Sequence, residues 1–286
     1  MSGSAPGETR PGPVRTAVVG VDGSDHSLAA LRWAAEVVGS TGTIDVVTVG
    51  HQENERDVLE KEWLEALKPR VRLHLAGNDP AEIMVDLAAV LNVDLIAVGA
   101  HSGVARSPRR VGGVVHKILR LANCPVAVVR DRSELGRPLD SGLGGDIVVG
   151  VGDGPSRPVA LAWAADLAAD RSRAVRLVRA VNYHPFLGVS NAAEVLASYI
   201  DPAQLVVWAG EELDLVAGTV AERGVEVEKR IVAGDVGTRL VEESEHAEAL
   251  VVGKHFDGRV TGFFTGRTVH HVLAHAWCPV VIVPGS

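Results

Sequence analysis

Cysteine is nearly absent from this chain of 286 residues: there are two, Cys124 and Cys278, more than a hundred positions apart. They stand in near-identical contexts, "NCPVAVV" and "WCPVVIV". One thiol per context is neither a disulfide framework nor a zinc cluster. Aromatic residues make up only 4%, and no uninterrupted apolar run approaches the ~20 residues that span a bilayer. A positive charge excess is also missing. The net charge of -8 excludes a broad basic face of the kind that replaces counterions on nucleic acid. The opening "MSGSAPGETRPGP" has no basic-then-apolar export pattern and reads as a disordered tail over residues 1–13. These absences predict a soluble, cytoplasmic protein with neither nucleic acid nor membrane as partner.

What is present is a repeat. "VVGVDGSDHSLAALRWAAEVV" recurs as "VVGVGDGPSRPVALAWAADLA", setting Trp33 against Trp163, 130 positions on. "VGAHSG" and "VGGVVHKILRLANCPVAVV" recur as "VGKHFD" and "TGRTVHHVLAHAWCPVVIV", with Cys278 154 positions beyond Cys124. The second copy is therefore longer by 24 residues, placed near 184–207 around "NYHPFLGVSNAAEVLASYIDPAQL". The polar, glycine-rich "RDRSELGRPLDSGLGGD" between the copies reads as a linker. The expected division is a first domain over 14–131, a linker over 132–143 and a second domain over 144–286.

In the first copy "RTAVVGV", "TIDVVTVG", "VRLHLAG", "VDLIAVGA" and "PVAVVR" are short, Val- and Ile-rich runs, the composition of strands buried on both faces. Between them Leu28, Leu31, Ala35 and Val38, and then Ile83, Leu87 and Leu91, recur at helical spacing. Alternation of strand and helix predicts an α/β fold: two tandem five-stranded parallel-sheet domains with helices on both faces and right-handed crossovers. Ligands of such sheets bind beyond the carboxyl ends of the strands.

Three features lie at those ends. Asp22 closes the first strand in "GVDGSDHS", where it either meets a ligand or turns the chain and caps the next helix. The loop "VGAHSGVARSPRRVGGVVH" brings Gly112 and Gly113 to the start of a helix, where main-chain N–H groups and the helix dipole favour an anion, with Arg106, Arg109 and Arg110 nearby. Glycine there lets a phosphate approach the backbone. His101 and His255 follow the fourth strand of each copy with no nucleophile elbow beside them, and are expected to line the cleft or cap the sheet. His271 and His275, four apart on a predicted helix, lack an evident third metal ligand. Trp33 and Trp163 are expected to pack in the core or at an interface.

Taken in order, "VVGVDGS", "GNDPAEIM" and "VGAHSG" followed by a glycine pair and "CPVAVV" resemble the universal stress protein family in its tandem form, over about residues 14–131 and 144–286. The resemblance implies an adenine nucleotide alpha hydrolase-like, Rossmann-like fold and a cytoplasmic stress-response role. It also implies pairing of domains, or of chains as a homodimer, through the last strand. As cofactor it implies ATP or another adenine nucleotide, with or without Mg2+. Nucleotide-binding members carry Gly-x2-Gly-x9-Gly-[Ser/Thr]; the first copy keeps Gly99 and Gly112 but has Ser102 and Gly113 at the other two places. The candidate binding residues are thus Val21, Asp22, Val49, Val98, Gly99, His101, Ser102, Gly112, Gly113 and Val114. In the second copy Gly253 and Gly266 match, Phe256 and Arg267 do not, and Asp153 is displaced by one position relative to Asp22. The leading expectation is a non-catalytic regulator that binds nucleotide chiefly in the first copy. The alternative is an interaction or dimerisation module whose sites have decayed. An ATP-consuming enzyme is a weaker third reading, since no general base or activated nucleophile is visible.

Overall fold

The structure is a computed structural model and describes residues 14–48, 70–77, 79–101, 111–131, 144–181, 201–254 and 266–285. In the first half the order is β1 (Thr16–Val21), α1 (Asp25–Val38), β2 (Thr43–Thr48), β3 (Arg70–Leu75), α2 (Pro80–Leu91), β4 (Leu95–Gly99), α3 (Gly113–Leu121) and β5 (Val126–Val129). In the second it is β6 (Ile147–Gly150), α4 (Arg157–Arg171), β7 (Val175–Val181), α5 (Pro202–Ala221), β8 (Val227–Ala233), α6 (Val236–Glu243), β9 (Ala249–Gly253), α7 (Arg267–His275) and β10 (Val280–Val283). Local chemistry sets the boundaries. Asp79 accepts hydrogen bonds from the Ala81 and Glu82 N–H groups and Pro80 follows it, which starts α2; Asn92, left-handed at φ 49°, stops it.

The ten strands form one sheet in the order β3-β2-β1-β4-β5-β10-β9-β6-β7-β8. Pairing is parallel within each half, and the halves join through an antiparallel contact of β5 with β10, with Val280, Val281 and Ile282 opposite Val128, Ala127 and Val126. The expected pair of five-stranded sheets is therefore continuous. Alternating side chains split each strand between two cores. Ala17, Val19, Leu95 and Val281 pack on one face with α1, α4 and α5, whereas Val18, Ile96, Val98 and Ile282 pack on the other with α2, α3, α6 and α7. Trp33 and Trp163 are buried in the first of these cores.

One expected stripe is displaced. Ile83 and Leu87 are only partly buried and Leu91 is exposed, while Ala81, Met84 and Ala88 form the buried face of α2. Small side chains bring this helix so close to the sheet that a Cβ on Gly20 would lie 2.8 Å from the Met84 sulfur. The segment read as an insertion lies mostly outside the described residues. Its last part forms the first turns of α5, whose Leu213, Val216 and Val220 pack on the sheet of their own half.

Polar contacts also cross the seam. Arg171 donates to the Glu36 carbonyl at 3.0 Å and, with Arg173, holds the buried Glu248. Arg130 donates to the Leu273 carbonyl, and Lys254 Nζ to the Arg120 carbonyl at 3.3 Å. His116 on α3 and His270 on α7, equivalent positions of the repeat, bring their rings to 6.2 Å between centroids. Partial burial of the ring, and then the facing His270, hold His116 below its ordinary value of 6.5. A base whose pKa is lowered on folding binds protons better when unfolded, so its contribution is complete above pH 6.5 and is lost as pH falls below it. Thermal unfolding between pH 7.5 and 5 should therefore show a fall in Tm on acidification that is shallower in His116→Gln.

Candidate functional site

In this sheet β1 lies between β2 and β4, and the chain leaves β1 toward α1 on one face but leaves β4 toward α3 on the other. Crossovers that diverge in this way open a crevice at the carboxyl ends of the two strands. The crevice here is a cleft of about 330 Å3 walled by Val21, Asp22, Val98, Gly99, His101, Gly112, Gly113 and Val114, all candidates from the sequence. Val49 and Ser102, with Arg106, Arg109, Arg110 and His255, lie outside the described residues. Val47, Pro80, Met84 and Val115 complete the wall. Sequence reading missed them because apolar residues at helix and strand spacing look like core; the available signal was their position beside strand ends.

At one end of the cleft, Asp22 Oδ1 accepts from the Ser24 N–H at 3.0 Å and the Ser24 hydroxyl at 2.6 Å. Ser24 in turn caps α1 by accepting from the Ser27 N–H. The turn-and-cap role anticipated for this segment is thus realised, and Asp22 faces the cleft as well.

At the other end is α3. Its cap residue, Gly112, is extended and supplies no side-chain hydrogen bond. The Gly112 N–H itself donates to the Ala100 carbonyl at 2.9 Å, which corrects the expectation that it points at an anion. The donors that α3 aims outward are those of its first turn, Gly113, Val114 and Val115, which have no acceptor within a helix. A Cβ on Gly113 would meet open space, so close approach to that backbone is possible. Gly99 is glycine for a different reason from the one inferred: a Cβ there would lie 2.8 Å from the His26 carbonyl carbon and the Ser27 nitrogen, so the residue makes room for α1 and not for phosphate. His101 is buried with its ring edge against His26, centroids 3.9 Å apart, and the Asp131 N–H donates to His26 Nδ1 at 2.8 Å. His101 therefore lines the cleft from a fixed position.

The second half has a corresponding cleft of about 390 Å3 whose wall includes Asp153, Gly253 and Gly266. Its acid is engaged. Arg179 Nη2 donates to both Asp153 oxygens at 3.0 and 2.9 Å, Nη1 donates to the Val151 carbonyl at 2.9 Å, and Nε sits 3.0 Å from Glu212. The hydrogen bond from Arg179, outweighing partial desolvation, holds the Asp153 carboxyl below its usual range. Gly253 likewise makes room for the start of α4, since a Cβ would collide with the hydroxyl of its cap residue Ser156. No sequence motif marked Arg179; only the sheet register, which pairs Val149 with Leu177, brings it to the end of β6.

Outside the site, burial pushes the Cys124 thiol up to about 12. His271 and His275 stack at 4.5 Å, and His275 Nδ1 lies 3.0 Å from the His271 carbonyl oxygen. Among the described residues no group of three or more His, Cys, Asp or Glu side chains is placed to hold a metal ion, and no helix is long and apolar enough to cross a membrane.

Residues 50–130 and 145–284 match the universal stress protein family. The chain belongs to that family. It is 27% identical over 301 residues to a universal stress protein of Mycobacterium tuberculosis, with 94% of this chain and 97% of the relative covered. A second universal stress protein of that organism is 35% identical over 153 residues, half of this chain and 48% of the relative. Among solved structures, a universal stress protein from Archaeoglobus fulgidus superposes with a TM-score of 0.65 at 15% identity, covering 95% of this chain and 98% of the other. That likeness speaks for the fold: the α/β architecture of universal stress proteins, in two consecutive copies. The first matched segment begins after β1, so Val21 and Asp22 rest on the repeat and on the geometry.

The contrast between two glycines is measurable by denaturant unfolding. Gly99→Ala should lower stability by about 1–3 kcal/mol, the cost of overpacking. Gly113→Ala, in open space on a helix, should be neutral or stabilising by up to about 1 kcal/mol.

Proposed function

We propose that this universal stress protein binds an adenine nucleotide, ATP foremost, in the cleft of its first half, and acts in the cytoplasm as a stress-response regulator without turning the nucleotide over. One observation carries the reading: the first-turn N–H groups of α3, which receive no side-chain cap from Gly112, open on a cleft at the switch point of the sheet. Helix N-termini of this kind favour phosphate through directed donors and the helix dipole. At the opposite end Asp22 has an oxygen not engaged by Ser24, suited to ribose hydroxyls, and the apolar wall of Val21, Val47 and Met84 suits a base. The cleft volume falls within the range of small-molecule sites, roughly 300–1,000 Å3. Mg2+ would enter with the phosphates, since among the described residues no group of three or more His, Cys, Asp or Glu side chains is placed to hold it.

The alternative, an interaction module without nucleotide, is favoured for the second half by the pairing of Asp153 with Arg179. We accordingly assign binding to the first half, at one equivalent per chain.

Mass spectrometry of small molecules released from the native protein, with calorimetric titration of ATP, tests the assignment. One bound adenylate per chain is expected; no adenylate in the extract together with no binding in the titration refutes it. Gly113→Leu should weaken ATP at least tenfold by closing the backbone approach, whereas Gly266→Leu should leave the stoichiometry and affinity as they were. Asp22→Ala should weaken both ATP and adenosine, because it acts at the nucleoside end, while Asp153→Ala should weaken neither.

A further inference from the structure

We propose that Lys254, a residue of the second half, is a positioning residue for the phosphate end of the first half's cleft, acting through the far end of α3. The inference rests on the reading of that cleft as a nucleotide site and adds what the second half contributes to it.

Helix α3 has nine residues and is about 13 Å long at 1.5 Å per residue. Its first turn opens on the cleft. Its last turn ends at the seam, where the Arg120 carbonyl, among the last four of the helix, has no intrahelical donor. Lys254 Nζ reaches that carbonyl at 3.3 Å from the end of β9. The lysine is 8% exposed, and burial lowers its pKa, so solvent screens its charge poorly. A cation there offsets the negative end of the helix dipole and fixes where the helix stops. The first effect fades within that turn, but the second acts on the opposite end, because it sets the position of a short, stiff helix that must present its N–H groups to an anion.

The repeat shows that the contact is not incidental to the fold. The first-half equivalent of Lys254 is Ala100, so the fold does not require a lysine at this strand end. The last turn of α7 also receives a cation from across the seam, but from another position: Arg130, after β5, donates to the Leu273 carbonyl. The equivalent of Arg130 in the second copy is Pro284. Two unrelated positions thus supply the same cross-seam contact to equivalent helices. Only the one made by Lys254 bears on the cleft assigned to nucleotide.

The test uses the full chain in four forms, wild type, Lys254→Met, Lys254→Arg and Arg130→Met, each titrated calorimetrically with ATP and with adenosine and melted without ligand. Lys254→Met should weaken ATP about two- to fivefold, no more than the net worth of the one hydrogen bond it loses, and leave adenosine unchanged. Lys254→Arg should restore ATP. Arg130→Met, which removes the equivalent cross-seam contact to α7, should leave first-site ATP affinity as it was even where its Tm falls with that of Lys254→Met. Equal weakening of ATP and adenosine, an unchanged ATP affinity in Lys254→Met, or the same ATP loss in Arg130→Met would each overturn the inference. Should Lys254→Met fail to fold, Lys254→Gln takes its place in the comparison. A wild-type chain that binds neither ligand refutes the nucleotide reading itself, an outcome distinct from a wild type that binds and a variant that binds equally.

Discussion

Three antiparallel residue pairs between β5 and β10 are the contact on which the rest of the molecule depends. The strands "VAVV" and "VVIV" are short and fully buried in the joined sheet. In either half alone the same strand would be a flat apolar edge with unsatisfied main-chain groups, the kind of edge that pairs with whatever is near. Pairing the two edges with each other removes both at once. It also fixes a pseudo-twofold relation between the halves, so helices on a given face of one half lie on the same face of the other. Arg130, Lys254, Arg171, His116 and His270 meet their partners across the seam only because that pairing sets the register.

The clefts follow from the same constraint one step out. Within each half the chain leaves two neighbouring strands toward helices on opposite faces, and the carboxyl ends of β1 and β4, or of β6 and β9, are left uncovered. Both clefts therefore exist whatever residues line them. What differs is where charge goes. In the first half an aspartate that completes a turn with Ser24 retains an oxygen toward the cleft. In the second half the aspartate one position along meets an arginine from the next strand and is held by both its oxygens. The difference needs both the shift of one residue and the arginine, which by register stands where the first half has Thr48.

Much of this was legible in the sequence. Five strands per copy could be read because strands buried on both faces must be runs of Val, Ile and Ala. The residues of the first cleft could be named because strand ends and a helix start, each marked by glycine or aspartate, are local signals. What was not legible depended on distance in sequence. The function of Gly99 could not be read, since a glycine that admits a neighbouring helix and one that admits a ligand are the same letter. Nor could the buried face of α2, where the wider stripe of Ile83 and Leu87 outweighed the narrow one of Ala81, Met84 and Ala88 that close packing selects. Arg179 stands 26 positions from its aspartate and Lys254 stands 134 from its carbonyl, and neither separation belongs to any periodicity.

The asymmetry between the copies bears on why they are covalently joined. Two identical halves would present two identical clefts and gain from linkage only a higher local concentration of partners. Here the halves have diverged in complementary directions. The first has a glycine at the start of α3 where the second has Arg267 at the start of α7, and the second keeps a lysine where the first has Ala100. The lysine reaches the helix of the other copy and not its own, and Arg130 does the same in the opposite direction. Separating the halves would therefore take from α3 and from α7 the cation that each receives on its last turn, besides exposing the edges of β5 and β10.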